Sequence, residues 1–388
     1  MIVIHEVETF TPDPAGPSTL LLAGTRIERV APGLRLPSGL AHEIDGSGLI
    51  AVPGLVDAHV HFAGGGGEGG YATRTPELPL GDAIAGGVTT VVGCLGTDGV
   101  ARGLPALVAK ARALAEEGIS TFVLTGSYGV PIVTLTGSVE RDLMLVREVV
   151  GVGEVAISDH RSSQPTFEEL ARIAADARRG GVLAGKSGVV NVHLGDGPAG
   201  LGLLRRIVDE TEIPITQFLP THVNRNPALF EEAASWARRG GWVDMTTSNV
   251  PAFFARGAVK PSTGLARLLA GGVDPARVTF TSDGQGSLPD YDASGRLVGL
   301  GVGRVTTLLD EVRDAVLREG VPLAAALGVA TRNPARALGL RRKGVLAEGS
   351  DADVVLLRRD DLSVHTVVAR GRLLMRDGRR LAKGTFEP

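Results

Sequence analysis

Short β-branched runs alternate with longer amphipathic segments through the middle of the chain. The runs predict eight strands, at Val52–His59, Val88–Cys94, Thr121–Thr125, Val152–Ile157, Val189–His193, Ile215–Thr221, Trp242–Thr246 and Val278–Ser282. Apolar residues at i, i+3 and i+4 predict helices between several of them, at Val100–Glu117, Thr166–Arg179, Ala228–Arg239 and Arg304–Glu319. Repeated strand–helix units form parallel sheets, and eight such units close into a (β/α)8 TIM barrel.

The two ends of the chain follow a different pattern. Residues 1–49 and 344–388 are short strand-like runs broken by turn signals such as Asp45-Gly46 and Asp377-Gly378. We predict a small β-domain built from both chain termini, beside a barrel over residues 50–343. The predicted fold class is therefore α/β.

Composition narrows the classes of function. The formal net charge of -3 gives no basic field for a polyanion, so nucleic acid is not an expected partner. No run approaches the ~18 apolar residues of a membrane span, and the first residues lack a basic segment followed by a long apolar one. These features predict a cytoplasmic protein. Cys94 is the single cysteine, which excludes an intrachain disulfide and a cysteine-rich metal site.

Half of the histidines fall at the predicted carboxyl ends of barrel strands, the face on which TIM barrels place their working residues. His59 and His61 end the first strand, His193 the fifth and His222 the sixth, and Asp283 follows the eighth. Residues two apart on a strand share a face, so the first pair could bind one cation together. Taken alone, that pair could equally be a buried, hydrogen-bonded pair. The further candidate ligands favour a metal site.

Imidazole and carboxylate without thiolate are typical of zinc, with manganese, cobalt or iron as other possibilities. Four histidines and an aspartate exceed what one tetrahedral zinc requires. Two ions about 3.5–4 Å apart could use all five of these residues as ligands. Such a pair normally needs a bridging carboxylate.

Several segments carry a resemblance to a known family. PGLVDAHVH (residues 53–61), the later His193, His222 and Asp283, and GSDADV (349–354) together resemble the amidohydrolase superfamily. More narrowly, TGSY (125–128), ISDHRS (157–162), PTHVNRN (220–226) and SDGQGS (282–287) resemble isoaspartyl (β-aspartyl) dipeptidases. The resemblance runs through nearly the whole chain.

The resemblance implies a bridging position with an unusual occupant. Dipeptidases of this family typically bridge two metals with a carboxylated lysine on the fourth strand, seven residues before the arginine of the Ser-Asp-His-Arg motif. Counting back from Arg161, this chain has Glu154. Lys186, on the loop before the fifth strand, is the one lysine near a plausible barrel position. We expect Glu154 to bridge directly; the alternative is a solvent-facing glutamate with one metal lost.

The resemblance also implies the activity and residue roles. A hydroxide bridging two Zn²⁺ ions would hydrolyse the isoaspartyl amide bond of a dipeptide, with Asp283 as both ligand and proton shuttle. Tyr128 would donate to the developing oxyanion. Glu68 and Thr97 would hold the amino end and α-carboxylate of the isoaspartyl residue, and Gly66 would give a backbone contact.

Arg161 and Arg225 would bind substrate carboxylate with help from Ser287, because guanidinium binds carboxylate through two hydrogen bonds. Two other functions remain open. One is a cyclic amidase of the dihydroorotase or hydantoinase kind, although paired arginines and Glu68 suit a dipeptide better. The other is a non-catalytic assembly protein with the amidohydrolase fold, which would be expected to lose metal ligands. Homo-oligomer formation is a further implication of the resemblance.

Overall fold

The computed structural model describes residues 1–37, 39–292, 294 and 296–387. Ser38 and Pro388 of the predicted β-domain, and Ala293 and Gly295 of the predicted barrel, lie outside them. The chain begins with strands in which apolar and polar residues alternate. They are β1 (Ile2–Phe10), β2 (Pro14–Ala23), β3 (Arg26–Ala31), β4 (His42–Asp45) and β5 (Leu49–Pro53).

The barrel strands follow and confirm the predicted TIM barrel. They are β6 (Leu55–Val60), β7 (Val88–Gly93), β8 (Ser120–Thr125), β9 (Val149–Ile157), β10 (Val189–Leu194), β11 (Phe218–Thr221), β12 (Val243–Thr246) and β13 (Val278–Thr281). Strands β6 to β11 pair in parallel in chain order, and β12 pairs with β13. The Val223 N–H donates to the Asp244 carbonyl between β11 and β12, and a bridge from Val60 to Gly284 closes the ring.

Helices flank the barrel strands. They are α1 (Leu80–Ala85), α2 (Leu104–Glu117), α3 (Val139–Leu145), α4 (Phe167–Ala184), α5 (Gly202–Glu210), α6 (Pro227–Arg238), α7 (Pro251–Ala255), α8 (Pro261–Ala270), α9 (Thr307–Leu317), α10 (Leu323–Gly328) and α11 (Arg332–Ala337). Helix α7 borders a cavity at the carboxyl ends of the strands. Local chemistry sets the start of α4, where the Thr166 side chain accepts from the Glu169 N–H and the Glu169 carboxylate accepts from the Thr166 N–H. In the described part of the chain, no helix has the length and apolar character needed to span a membrane.

Both termini share one sheet, as predicted. After a hairpin of β14 (Ser287–Tyr291) and β15 (Leu297–Val302), the chain ends in β16 (Val354–Arg358), β17 (Val364–Ala369), β18 (Arg372–Arg376) and β19 (Arg379–Arg380). The sheet order is β19-β18-β17-β16-β5-β1-β2-β3, with β4 beside β1. Buried aliphatic side chains, among them Ile4, Leu20 and Val354, form an apolar cluster for this sheet.

Two predicted strands differ from the structure. The expected strand Val52–His59 is divided at Gly54, where β5 of the terminal sheet ends and β6 of the barrel begins. A side chain at Gly54 would collide with Thr89, and the Gly54 N–H donates to the Asp353 carbonyl at 3.0 Å. The expected strand Ile215–Thr221 begins instead with a 3₁₀ turn at Ile215–Gln217. The predicted domain boundary at residue 50 falls inside β5, and the division into domains stays a prediction.

Candidate metal centre

All six residues predicted as metal ligands come together at the carboxyl ends of the barrel strands. His59 is at the end of β6, Glu154 in β9 and His193 in β10, while His61, His222 and Asp283 follow β6, β11 and β13. Their side chains are buried. The imidazole ring of His222 lies 4.7 Å from that of His193 and 5.3 Å from that of His59, measured between centroids.

Glu154 occupies the middle of this cluster. Its Oε1 lies 3.2 Å from His61 Nε2. Its Oε2 lies 3.1 Å from His193 Nδ1 and 3.5 Å from both His59 Nε2 and His222 Nε2. Glu154 is 1% exposed, so the alternative of a solvent-facing glutamate is excluded. The carboxylate therefore contacts imidazoles from three barrel strands at once.

A β-bulge in β9 sets the direction of the Glu154 side chain. Gly153 and Glu154 together oppose one residue of β10, Asn191, because the pairing register shifts there. Gly153 has φ of 145°, and a Cβ at this position would lie 2.8 Å from the Asn191 carbonyl oxygen. Glycine is required at this close approach of the two strands.

Neighbouring side chains fix which nitrogen the histidines present to the centre. His59 Nδ1 lies 3.1 Å from Asn191 Oδ1, and His222 Nδ1 contacts the Thr246 hydroxyl. A ring that donates from Nδ1 keeps a lone pair on Nε2 for a cation. Burial lowers the pKa of His222 to about 3, so its imidazole is neutral, the form that binds metals.

His193 has the opposite orientation. Its Nε2 lies 2.9 Å from Asp159 Oδ2, and its Nδ1 faces Glu154. Asp159 also accepts two hydrogen bonds from Arg161, from Nη2 at 2.8 Å and from Nε at 3.0 Å. Burial would raise the pKa of Asp159, but hydrogen bonds from His193 and Arg161 outweigh burial and lower it. The ionised carboxylate holds His193 with Nδ1 toward the centre.

The donor atoms fit divalent cations. Among the described residues, His59 Nε2 and Asp283 Oδ1 are buried without a hydrogen-bond partner. Two groups of donor atoms, each within 4.8 Å of one another, share Glu154: one adds His59, His61 and Cys94, and the other adds His193 and His222. Cys94, not expected as a ligand, lies 3.9 Å from His61 Nδ1. That is the ring nitrogen opposite the one that faces Glu154.

A cavity of about 550 Å³ opens above the centre. Its walls include every residue predicted to bind substrate, namely Gly66, Glu68, Thr97, Tyr128, Arg161, Arg225 and Ser287. Asp283, Glu154 and His61 form part of its floor, whereas His59 lies deeper. The volume suits a small molecule.

Glu68 connects several of these predicted residues. Its Oε2 accepts a hydrogen bond from the Ser287 hydroxyl at 2.8 Å. Its Oε1 accepts one from the Thr97 hydroxyl at 3.3 Å and lies 3.4 Å from Arg161 Nη1. Arg225 Nε is buried without a hydrogen-bond partner in the described part of the chain, so it can donate to a ligand.

Gly66 has a structural role in addition to its predicted one. Its φ is 75°, and a Cβ there would lie 2.6 Å from the Thr73 carbonyl oxygen. The glycine-rich loop can fold back on itself at this point because no side chain intervenes. The fold of the loop therefore requires glycine there, whether or not a ligand approaches its backbone.

Tyr128 points its hydroxyl into the centre. The oxygen lies 2.8 Å from His193 Nδ1, and the Arg161 guanidinium lies 5.4 Å from the phenol ring centroid. Burial raises the pKa of Tyr128 well above its usual value, and the charge of Glu154 raises it further. The phenol therefore keeps its proton and can act as a hydrogen-bond donor.

The sequence prediction missed the residues that orient the histidines. Asp159 lies inside the Ser-Asp-His-Arg segment that carried the resemblance, and Asn191 lies two residues before His193 on the same strand. Asn191 could have been found, because residues two apart on a strand share a face, whereas Asp159 follows β9 and is not on a strand. Thr246 had no such signal. Its contact with His222 depends on the meeting of two strands.

The fold and the clustered donor atoms define a TIM-barrel protein with a candidate metal centre. The model of the Amidohydrolase family matches residues 50–374, and the chain belongs to this family. The chain is also similar to the beta-aspartyl dipeptidase of Fervidobacterium islandicum AW-1, solved in complex with beta-Asp-Leu dipeptide. The two are 44% identical with a TM-score of 0.92, and the match covers 100% of both chains. The predicted resemblance is confirmed.

Curated relatives match over shorter segments. An adenine deaminase of Methanothrix thermoacetophila is 38% identical over 74 residues, which is 19% of this chain and 13% of the deaminase. A dihydroorotase of Leifsonia xyli subsp. xyli is 42% identical over 83 residues, which is 21% of this chain and 18% of the dihydroorotase. The matches therefore span less than a fifth of the length of either relative.

Proposed function

We propose that the protein is a zinc metallopeptidase that hydrolyses the isoaspartyl amide bond of dipeptides. The observation that carries this proposal is the position of Glu154, which lies among four histidines at the floor of a cavity with charged walls. The likeness to a dipeptidase over the full chain supports it.

The proposed centre holds two Zn²⁺ ions, and Mn, Co or Fe would suit the same donors. His59 and His61 would hold one ion, His193 and His222 the other, with Glu154 shared and Asp283 as a further ligand. Such ions, when bound, would lower the pKa of a bound water from ~15.7 toward ~7 and so would supply a hydroxide at neutral pH. No modified lysine is needed: Lys186 lies before β10 and donates to the Val146 carbonyl at 2.7 Å.

Asp283 would move the proton in this proposal. Burial would raise its pKa, but the contact with His61, 3.1 Å from Oδ1, outweighs burial and lowers the pKa. The carboxylate is therefore ionised. We propose that it accepts the proton of the attacking water and passes it to the leaving amine.

Tyr128 and the polar walls complete the proposal. The protonated phenol would donate to the oxygen that gains charge as the amide carbonyl is attacked. Glu68 would pair with the substrate ammonium, assisted by Thr97. Arg161 and Arg225 would bind carboxylate with Ser287, and the Gly66 backbone would contact the isoaspartyl end.

The two other functions have less support. A cyclic amide such as dihydroorotate has no ammonium to pair with Glu68 and at most one carboxylate for the two arginines, whereas an isoaspartyl dipeptide has an ammonium and two carboxylates. A non-catalytic assembly protein would have no use for buried, oriented ligands, and all six predicted ligands are present and buried. The cytoplasmic location and the homo-oligomer stay predictions that rest on the sequence.

Hydrolysis by zinc-loaded protein tests the proposal. β-Asp-Leu should release leucine, while α-Asp-Leu and dihydroorotate should not react. Arg225→Ala should raise the KM for β-Asp-Leu by about 10- to 100-fold, because hydrogen bonds to a charged group are lost. Arg206→Ala, at an exposed helix position, is the control and should leave KM unchanged. Cleavage of α-Asp-Leu as fast as β-Asp-Leu, or of dihydroorotate alone, would refute the proposal.

A further inference from the structure

Asp244, in β12, has a fully buried carboxylate with no part in the roles given above. Three threonine hydroxyls donate to it, each at 2.6 Å. Those of Thr221 and Thr281 donate to Oδ2, and that of Thr279 donates to Oδ1. Thr221 is the last residue of β11, and the other two threonines belong to β13. The carboxylate therefore joins three neighbouring strands inside the barrel.

Two of these threonines lie just before predicted metal ligands. Thr221 precedes His222, and Thr281 lies two residues before Asp283. His222 has φ of 63° and Asp283 has φ of 53°, in the left-handed region that residues other than glycine rarely adopt. Such a conformation persists only where the surrounding contacts fix the chain. The hydrogen bonds to Asp244 fix the end of each strand just before the left-handed residue.

His222 lies between two contacts with Asp244. On one side the Thr221 hydroxyl donates to the Asp244 carboxylate, and on the other the Val223 N–H donates to the Asp244 carbonyl at 3.1 Å. Thr246, two residues after Asp244 and on the same face of β12, contacts His222 Nδ1 through its hydroxyl. Strand β12 therefore positions both the backbone and the ring of His222.

We propose that Asp244 is a positioning residue for the metal centre. Through two threonines it holds His222 and Asp283 in the conformation that directs their side chains toward metal ions. This inference rests on the metal centre of the proposed function. Asp244 is neither a predicted ligand nor part of the cavity wall. Metal affinity should therefore depend on hydroxyl groups that lie outside the ligand set.

Replacement of single threonines by valine tests the inference, because valine has a similar shape and lacks the hydroxyl. Thr221→Val and Thr281→Val should each raise the Kd of one of the two zinc ions by at least about tenfold, the lower end of the usual effect when a contact that orients a ligand is lost. Competition with a zinc chelator would measure both Kd values.

Thr279→Val is the matched control. It removes a fully buried hydroxyl from the same carboxylate, but Thr279 lies four residues before Asp283. All three variants should lower the midpoint of urea denaturation to a similar extent, because each loses one buried hydrogen bond. Thr279→Val alone should leave both zinc Kd values unchanged. A purely structural role of the carboxylate would not produce this difference.

Asp244→Asn separates position from charge. The amide oxygen can accept from the Thr221 and Thr281 hydroxyls in place of Oδ2. The amide N–H can donate to the Thr279 hydroxyl, which can itself donate to the Val243 carbonyl, 3.3 Å away. Asp244→Asn should therefore keep both zinc Kd values close to those of the wild-type protein. Asp244→Ala removes the shared acceptor and should raise both values.

The outcomes separate this inference from the proposed function. Equal zinc Kd values in the three valine variants, or loss of zinc from a stably folded Asp244→Asn variant, would overturn the positioning role and leave β-aspartyl hydrolysis standing. The valine variants decide the question even if Asp244→Ala does not fold. Failure of the wild-type protein to bind zinc would overturn both proposals. Zinc binding without hydrolysis of β-Asp-Leu would overturn the proposed activity alone.

Discussion

The position of Glu154 could be predicted by counting residues along the sequence, but its contacts with the histidines are explained only by the structure. The distance of seven residues from Arg161 placed it at the bridging position, but a glutamate side chain is shorter than a carboxylated lysine. The structure shows a buried carboxylate with imidazoles on both of its oxygens. The histidines were predictable because strand ends of a barrel converge.

The proposed role of Tyr128 as a donor to the oxyanion can be tested by removing its hydroxyl oxygen. Tyr128→Phe should lower kcat for β-Asp-Leu by about 10²- to 10³-fold, the usual effect of loss of one such donor, with a much smaller change in KM. Steady-state kinetics would measure both. Tyr71→Phe, at a residue that is 90% exposed, is the control. If Tyr128→Phe changes KM alone, the hydroxyl binds substrate and does not stabilise the transition state.

At the scale of the element, the bulge in β9 is the feature that the sequence did not reveal. The run from Val149 to Ile157 is uniformly buried, so its pattern gives no alternation in which an extra residue would be visible. The prediction of the strand was correct, but the direction of each side chain along it depends on pairing with β10. That pairing is visible only when both strands are in place.

The position of the bulge leads to a prediction about metal binding. Gly153→Ala should lower the free energy of unfolding by about 1–3 kcal/mol, because alanine is strained at this φ. It should also lower the zinc content per chain, because a Cβ would press on the Asn191 carbonyl and displace Glu154. Urea denaturation and elemental analysis would measure the two effects. Gly202→Ala, where a Cβ meets nothing within 4 Å, is the control; equal zinc content and stability in both variants would contradict this role.

At the scale of the whole molecule, the terminal sheet and the barrel are joined through Lys343. Its Nζ lies 2.5 Å from Asp353 Oδ2 and 2.9 Å from Asp351 Oδ2, and donates to the Ser120 hydroxyl at 2.6 Å. Ser120 begins barrel strand β8, and Asp353 lies just before β16 of the terminal sheet. The lysine side chain is 4% exposed, so its charge depends on these partners.

Lys343→Met should therefore lower the free energy of unfolding by about 3 kcal/mol, because loss of one partner leaves the other charges of a buried ion pair uncompensated. Chemical denaturation would measure the change. Lys383→Met is the control, since Lys383 is exposed. If the two variants are equally stable, the lysine does not contribute to joining the sheet and the barrel.

The architecture was largely predictable because β-branched runs repeat eight times with helical periodicity between several of them, and because turn signals mark both ends. The passage from the terminal sheet to the barrel at Gly54 was not predictable, since the residues on both sides of Gly54 are buried and apolar. Contacts such as those of Asp159 and Thr246 with histidines join segments far apart in the chain. No local pattern encodes them.

Anomalous diffraction at the zinc edge from crystals of the zinc-loaded protein tests the central claim most directly, namely that Glu154 bridges a pair of metal ions. We predict two peaks about 3.5–4 Å apart. One should lie beside His59 and His61, the other beside His193 and His222, with the Glu154 carboxylate in contact with both. A single peak, or two peaks that Glu154 does not join, would contradict the account.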